Sequence, residues 1–376
     1  MFLFEEEEIG VSLVKIKVAG VGGGGGNAIN NMILHSLKGV DFIVANTDSQ
    51  VLHLSHAPFK IQLGEKLTKG RGAGADPQVG RDAALESADE IRESLAGSEM
   101  VFVAASLGGG TGTGAAPIIA SIAKEIGILT VGVVTKPFLF EGEMKTRLAE
   151  EGLREMKKGC HSVIVIPNQR LLNIVEKGTS LKEAFLVADD ILRQAVAGIT
   201  DLIMMPGQIN VDFSDVRAIM SYPGRAVMGM GVSKGENRAV EAAQSAISSP
   251  LLEDSSIEGA KGILMNISGG RNMGLHEVAE AAAVITGKVD SDAKVIFGTA
   301  VGTTDSEEVK VTVIATGFQE EVVGDEIGDG RPSKKGFSVD MGKKGVLRKV
   351  PRATMGKEAY NEEIWDVPTF LRRQAD

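Results

Sequence analysis

A single cysteine, Cys160, has no partner for an internal disulfide and suits a reducing cytosol. No apolar run reaches the roughly 18 residues that span a bilayer; the longest is broken by Lys124 and Glu125. The chain opens with Met1-Phe2-Leu3-Phe4 and then Glu5 to Glu8, without a basic n-region or a long apolar stretch, so no signal peptide is expected. Basic excess is missing too: 40 Lys and Arg stand against 50 Asp and Glu, a formal net charge of -10. That balance disfavours nucleic acid or an acidic membrane as a partner of the whole surface. The pattern G-x-x-x-x-G-K-[ST] occurs nowhere, which excludes a Walker-type phosphate loop.

What the chain has in abundance is glycine, 47 residues of 376, and three glycine-rich loops stand out. The first follows a strand predicted over Leu13 to Ala19 and runs from Gly20 through the unbroken glycines Gly22 to Gly26, ahead of a helix predicted from Asn27 to Leu37. Gly20, Gly22 and Gly25 satisfy G-x-G-x-x-G, and Asp48 follows a second strand, Phe42 to Ala45. Alone, this supports either a dinucleotide-binding unit or a tight turn that binds nothing. The second loop, Lys69 to Pro77, precedes an amphipathic helix predicted over Gly80 to Leu95. The third, Gly108-Gly109-Gly110-Thr111-Gly112-Thr113-Gly114, lies between an apolar strand, Met100 to Ala105, and an Ala/Ile-rich helix. Glycines at a helix start offer a row of backbone N–H groups to an anion. A dehydrogenase needs one such loop; several converging on one anion point to a triphosphate.

Further strands, Val131 to Thr135 and Ser162 to Ile166, alternate with helices, as in a parallel sheet with ligand loops at the strand C-termini. Ser180-Leu181-Lys182-Glu183 has the capping-box pattern and starts a helix predicted to Met204, roughly 35 Å long at 1.5 Å per residue. Pro206-Gly207 stops it, and Ile209-Asn210-Val211-Asp212-Phe213-Ser214-Asp215 follows. Asp212 and Asp215 could polarise a water or hold a cation, or one of them could simply cap the next helix, Val216 to Met220. Strands at Gly262 to Ile267, Ala293 to Val301 and Val309 to Thr316, with helices at Ala239 to Ile247 and Leu275 to Thr286, form a second α+β unit without phosphate-type loops. From residue 319 the apolar pattern collapses into Lys, Arg, Gly, Asp and Ser, and large apolar residues return only around Trp365, the sole tryptophan. An apolar motif on a polar tether is the pattern of a peptide that docks on partners.

Gly108 to Gly114 matches the tubulin signature G-G-G-T-G-[ST]-G, and the chain from about Val14 to Phe318, with the C-terminal peptide, resembles the FtsZ family of bacterial cell-division homologues of tubulin. The resemblance implies a parallel-sheet, Rossmann-like GTPase domain joined by a long central helix to a smaller α+β domain. The corresponding segments are a flexible extension at 1–12, the GTP-binding domain with its central helix at 13–205, the α+β domain at 206–318, a linker at 319–362 and a partner-binding peptide at 363–376. It implies that GTP or GDP binds through Gly22, Gly23, Gly24, Asn27, Ala73, Gly74, Gly108, Gly109, Gly110, Thr111, Gly112 and Thr113, with Glu141 on the ribose and Lys145 beside it. Asn168 and Asp190 are placed on guanine, and Phe185 against the base. Mg²⁺ is the expected companion, with no metal-ligating residue identified.

Asn210, Asp212 and Asp215 match the family's catalytic loop, and Asp366 to Arg373 the peptide that binds membrane-tethering and regulatory division proteins. The chain departs from the family in two places. Lys145 stands where Arg is usual, with Arg147 two residues on, and Asp76 stands where Asn is commoner, so its charge calls for a cation or Arg71 nearby. Asp190 can accept both N1–H and N2–H of guanine, a pair adenine lacks; its bland reading is an exposed helix carboxylate.

From Asp190 to Pro206 is roughly 24 Å of helix, so Asp212 and Asp215 are expected to serve the GTP of the next subunit in a head-to-tail filament. The expectation is a cytoplasmic, polymerisation-dependent GTPase of the cytokinetic ring under the inner membrane, binding no nucleic acid and inserting nothing into the bilayer. A Rossmann-type oxidoreductase and a GTP-gated structural protein without useful hydrolysis are its rivals.

Overall fold

The computed structural model describes residues 14–176, 178–204, 209, 211–252, 257–302 and 304–318. The N-terminal extension, Pro206-Gly207, Asn210, the linker and the C-terminal peptide with Asp366 to Arg373 lie outside the described residues.

Ten strands form the sheet: β1 (Ile16–Val21), β2 (Val40–Asn46), β3 (Phe59–Gln62), β4 (Met100–Ser106), β5 (Leu129–Lys136), β6 (Ser162–Pro167), β7 (Gly224–Lys234), β8 (Gly262–Gly269), β9 (Lys294–Val301) and β10 (Glu308–Thr316). Their spatial order is β3-β2-β1-β4-β5-β6-β7-β10-β8-β9. Every neighbouring pair from β3 to β7 is parallel; β10 runs antiparallel to both β7 and β8, and β9 is parallel to β8. β7 joins the two parts: Gly224 to Ala226 pair with β6, and Val227 to Lys234 with β10. Strands β1, β4, β5 and β6 are almost wholly buried, and β4 and β6 read as near-continuous apolar runs, as buried parallel strands do.

The central helix spans Leu181–Met204. Its start is the expected capping box: Ser180 N–H donates to Glu183 Oε2 at 2.8 Å, and Glu183 N–H to Ser180 Oγ at 3.3 Å. Ile191, Leu192, Ala195, Val196 and Ile199 share one core with Val18, Val131 and Ile164 of the parallel part and with Met228, Leu264 and Ile314 of the antiparallel part. Helix and antiparallel part approach closely at Gly198, where a Cβ would come within 2.9 Å of Thr312 Cγ2; Asn266 Nδ2 donates to the Gly198 carbonyl at 3.2 Å. At its far end Met204 packs on Gly39, just ahead of β2. The helix therefore runs the full depth of the parallel part, from the strand C-termini to the N-termini.

Several local expectations shift. The first helix is Gly22–Leu34 and begins inside the glycine run, despite glycine's poor helix propensity. The helix expected over Gly80 to Leu95 is two, Pro77–Glu86 and Ala88–Leu95. The break is held by long-range bonds: Gly64 N–H donates to Ser87 Oγ, and Lys66 and Leu67 N–H to the Glu86 carboxylate. The helix expected from Val216 starts at Phe213. β3, β7 and the short helix Ser49–Leu54 were not anticipated.

Candidate functional site

The three glycine loops meet at the C-terminal ends of β1 and β4. A Cβ on Gly22 would lie 2.8 Å from Gly112 N, so the first loop rests on the third. Gly22 takes φ +73°, a left-handed value suited to glycine. A Cβ on Gly110 would lie 2.9 Å from both Ala73 Cβ and Asp76 N, so the third loop rests on the second. Thr47, after β2, ties them further: its hydroxyl is 2.6 Å from that of Thr111, and its carbonyl accepts Gly72 N–H at 3.2 Å. Gly108 N–H donates to Thr113 Oγ1 at 2.9 Å, closing the third loop on its own helix.

Three glycines face outward from this junction. A Cβ on Gly23, Gly74 or Gly109 would meet nothing within 4 Å. The helices Gly22–Leu34 and Thr111–Glu125 both start here without a side-chain cap, so their first N–H groups point into the same space. The helix Pro77–Glu86 differs: Asp76 caps it by accepting Gln78 N–H at 2.8 Å. The Asp76 carboxylate is engaged there by a neutral backbone N–H. Asn27 is exposed, one turn into the first helix.

Beside the cradle, Glu141 has both oxygens in use: Oε1 accepts Phe138 N–H at 2.9 Å, and Oε2 pairs with Lys145 Nζ at 3.0 Å. Arg147 turns instead to Met144 Sδ at 3.2 Å. Asn168, directly after β6, is buried with Oδ1 unpaired, as is Asn31 Oδ1 on the first helix. A buried acceptor without a donor is disfavoured by about 1–3 kcal/mol, so each marks a place for one. Phe185 is 39% exposed and meets Phe138 edge-on at 5.5 Å; Phe138 stacks on Phe140 at 4.9 Å. Asp190 is not the free helix carboxylate of the bland reading: it accepts from Arg193 Nε at 2.7 Å and from Gln194 Nε2. A carboxylate has about four lone-pair sites, so acceptor capacity remains. Its neighbour Asp189 is pushed up to about 7 by burial.

Asp212 and Asp215 lie elsewhere. Asp212 occupies the N-cap position of Phe213–Met220, but its side chain makes no cap hydrogen bond and the residue is exposed. Its carbonyl accepts the N–H groups of Asp215 at 3.0 Å and Val216 at 3.2 Å. The carboxylate of Asp215 pairs with Lys294 Nζ at 3.3 Å. On the same helix Arg217 lies over the Phe213 ring, 5.2 Å from its centroid, and donates to the Glu99 carbonyl at 3.4 Å. Glu99 immediately precedes β4, whereas Gly108 follows that strand's far end. Seven residues of strand at about 3.3 Å each put roughly 23 Å between these levels. The cradle and the two carboxylates are therefore at opposite ends of one strand. Thr47, the Phe138–Phe140 stack and Lys294 had no sequence signal; they join the sites through contacts that no spacing encodes.

Among the described residues, no group of three or more His, Cys, Asp and Glu could hold a metal ion, and no helix is long and apolar enough to cross a membrane.

Comparison with known proteins gives two family matches: the GTPase domain of the Tubulin/FtsZ family over residues 15–176 and the FtsZ family C-terminal domain over 224–319. Among solved structures, an empty FtsZ dimer from M. jannaschii is 44% identical, with a TM-score of 0.77 over 81% of this chain and 88% of that one. A mutant of FtsZ from the same organism is also 44% identical, with a TM-score of 0.78 over 82% and 92%. A GTPgS-bound protofilament of CetZ2 from Haloferax volcanii shares the fold at 20% identity, with a TM-score of 0.67 over 82% of this chain and 94% of that one.

Proposed function

The chain belongs to the FtsZ family of tubulin-like GTPases, and we propose that it assembles head to tail, each subunit completing the GTPase site of the next. The carrying observation is the Arg217–Glu99 hydrogen bond, which anchors the Asp212–Asp215 turn at the end of β4 opposite the glycine cradle. Carboxylates so placed are too far from their own cradle to touch a phosphate bound there. They are exposed, so a second copy can present its cradle to them. A contact between unlike surfaces need not close and extends into a filament.

GTP fits the residues present. The outward faces of Gly23, Gly74 and Gly109 leave room for phosphates against backbone N–H groups, as an anion at two helix N-termini requires. In this reading Gly22 to Gly24, Asn27, Ala73, Gly74 and Gly108 to Thr113 surround the triphosphate. Glu141 holds the ribose, with Lys145 fixing its carboxylate. The unpaired Asn168 Oδ1 suits an N–H of the base, Asp190 supplies further acceptors, and Phe185 offers its exposed face for stacking. Asp212 and Asp215 orient or activate the attacking water from the neighbouring subunit, and Asn210 positions it. Mg²⁺ in phosphoryl-transfer sites is held largely by the phosphates themselves and neutralises their charge.

On this reading residues 13–205 bind the nucleotide and 206–318 carry the loop to its neighbour. The M. jannaschii FtsZ is a dimer in its structure, which supports self-association here. The filament's role is cytokinesis, on the cytoplasmic side of the membrane, with Asp366 to Arg373 as the contact for tethering and regulatory division proteins. Membership of the FtsZ family supports a cell-division role, and the FtsZ structures compared come from M. jannaschii. Phosphate release measured against protein concentration tests the proposal. A threshold below which specific activity falls to nearly nothing is expected; specific activity independent of concentration would place the complete site in one subunit.

A further inference from the structure

Strand β9 grips the loop that carries the two carboxylates at both ends. Thr299 and Ile209 exchange two hydrogen bonds: Thr299 N–H donates to the Ile209 carbonyl at 3.2 Å, and Ile209 N–H to Thr299 Oγ1 at 3.2 Å. Next to them a Cβ on Gly298 would fall 2.7 Å from Leu202 Cδ2 and 2.8 Å from Val211 Cγ2, so strand and loop are in direct contact. At the other end of the grip, Lys294 places Nζ 3.3 Å from Asp215 Oδ1. The Lys294 backbone is itself fixed, in register with Gly262 of β8 and donating its N–H to the Lys261 carbonyl at 2.9 Å. Asp215 N–H in turn bonds the Asp212 carbonyl at 3.0 Å, so whatever steadies Asp215 steadies the turn that presents Asp212.

We propose that Lys294 is a positioning residue for GTP hydrolysis. It acts through Asp215, holding that carboxylate in one rotamer on an otherwise exposed turn, so that the Asp212–Asp215 pair meets the neighbouring nucleotide in a single arrangement. The proposal rests on the reading that this turn serves the next subunit's GTP. The physical basis is orientation: a short carboxylate on a surface turn samples several rotamers, and a cation held beside it by a fixed backbone biases it toward one. Lys294 and Asp215 are about half exposed, so the pair adds little to folding stability and its loss leaves the fold in place. A lysine at the start of an edge strand thus ties the second unit to the chemistry without touching substrate.

The test uses full-length protein and reads kcat per polymerised subunit, KM for GTP and the critical concentration. Lys294→Gln is expected to lower kcat about fivefold while KM and critical concentration stay within about twofold. Lys294→Arg, which keeps the charge, is expected to recover at least about half of the loss. The double variant Lys294→Gln with Asp215→Asn is expected to match Asp215→Asn alone, because one residue acts through the other. A Lys294→Gln kcat unchanged from the parent overturns the proposal; so does a loss that appears only with a raised critical concentration, no recovery with Lys294→Arg, or losses that multiply in the double variant. Asp212→Ala in the same series separates the two levels. If it is inactive while Lys294→Gln is unimpaired, only the role of Lys294 falls; if it turns over normally, the assignment of the whole turn falls.

Discussion

Arg217 donates a hydrogen bond to the carbonyl of Glu99, 118 residues away in sequence, and so pins the Asp212–Asp215 turn to the N-terminal end of β4. The glycine cradle begins just past the C-terminal end of that strand. On the proposed reading, one strand thus separates the groups that hold the triphosphate from those that activate the attacking water. Asp212→Ala is accordingly expected to leave GTP affinity within about twofold while lowering phosphate release at least about a hundredfold, as loss of a group that activates water does. Nucleotide binding and turnover measured on the same preparation check it; joint loss of both would put Asp212 in the binding site.

The glycines divide into two kinds that one substitution distinguishes. Gly109→Ala adds a methyl that meets no protein atom within 4 Å, so the chain is expected to fold and to lose GTP binding. Gly114→Ala instead drives its methyl against the Pro77 carbonyl and Arg81 N, and is expected to unfold or displace the helix Pro77–Glu86. Circular dichroism and GTP titration of the two variants decide the matter. A folded Gly109→Ala that binds GTP normally removes the phosphates from that position.

Asn168→Ala separates binding from stability. The Oδ1 atom is buried without a donor, so in the nucleotide-free protein its removal is expected to leave the melting temperature level or raise it. GTP affinity is expected to fall about tenfold or more as the donor of the base loses its acceptor. Thermal melts with and without nucleotide check both; a large drop in melting temperature without nucleotide would mean that the side chain serves the fold.

Asp189 gives a pH signature. Burial raises its carboxyl from 3.8 to about 7, so between those values the folded chain binds more proton than the unfolded one. Stability must then decline as pH rises through that window, reaching the full penalty above about 7. Asp189→Asn is expected to stabilise the protein by a few kcal/mol at pH 8 and by almost nothing at pH 4. Denaturant midpoints at the two values check it; equal effects at both would show that the carboxyl titrates normally.

Where apolar periodicity carries the signal, sequence and structure agree. The central helix starts at its capping box, Leu275–Thr286 lies where its spacing places it, and the buried parallel strands read as plain apolar runs. β7 escaped because Gly224–Lys234 mixes glycine and methionine with few β-branched residues, and its pairing with β6 and β10 supplies what local propensity does not. β3 is four residues long with Phe59 and Lys60 exposed, too short for alternation to show. The first helix begins in glycines because the close approach of Gly22 to Gly112 leaves no room for side chains. At the site, loop composition pointed to the cradle, and resemblance supplied the residues proposed for the base. The Lys294–Asp215 pair and the Arg193–Asp190 contact come from tertiary packing and a rotamer choice, which residue spacing does not record.

Catalysis between subunits is tested most directly by mixing two inactive variants. On this account Asp212→Ala holds GTP but offers no Asp212 carboxylate to activate water, and Gly109→Ala offers that carboxylate without holding GTP. In mixed filaments the GTP of the first faces the carboxylates of the second. Phosphate release is expected to return on mixing and to peak near equal proportions, with sedimentation confirming that both variants are in the polymer. Mixed polymers that sediment together and release no phosphate at any ratio would contradict the account.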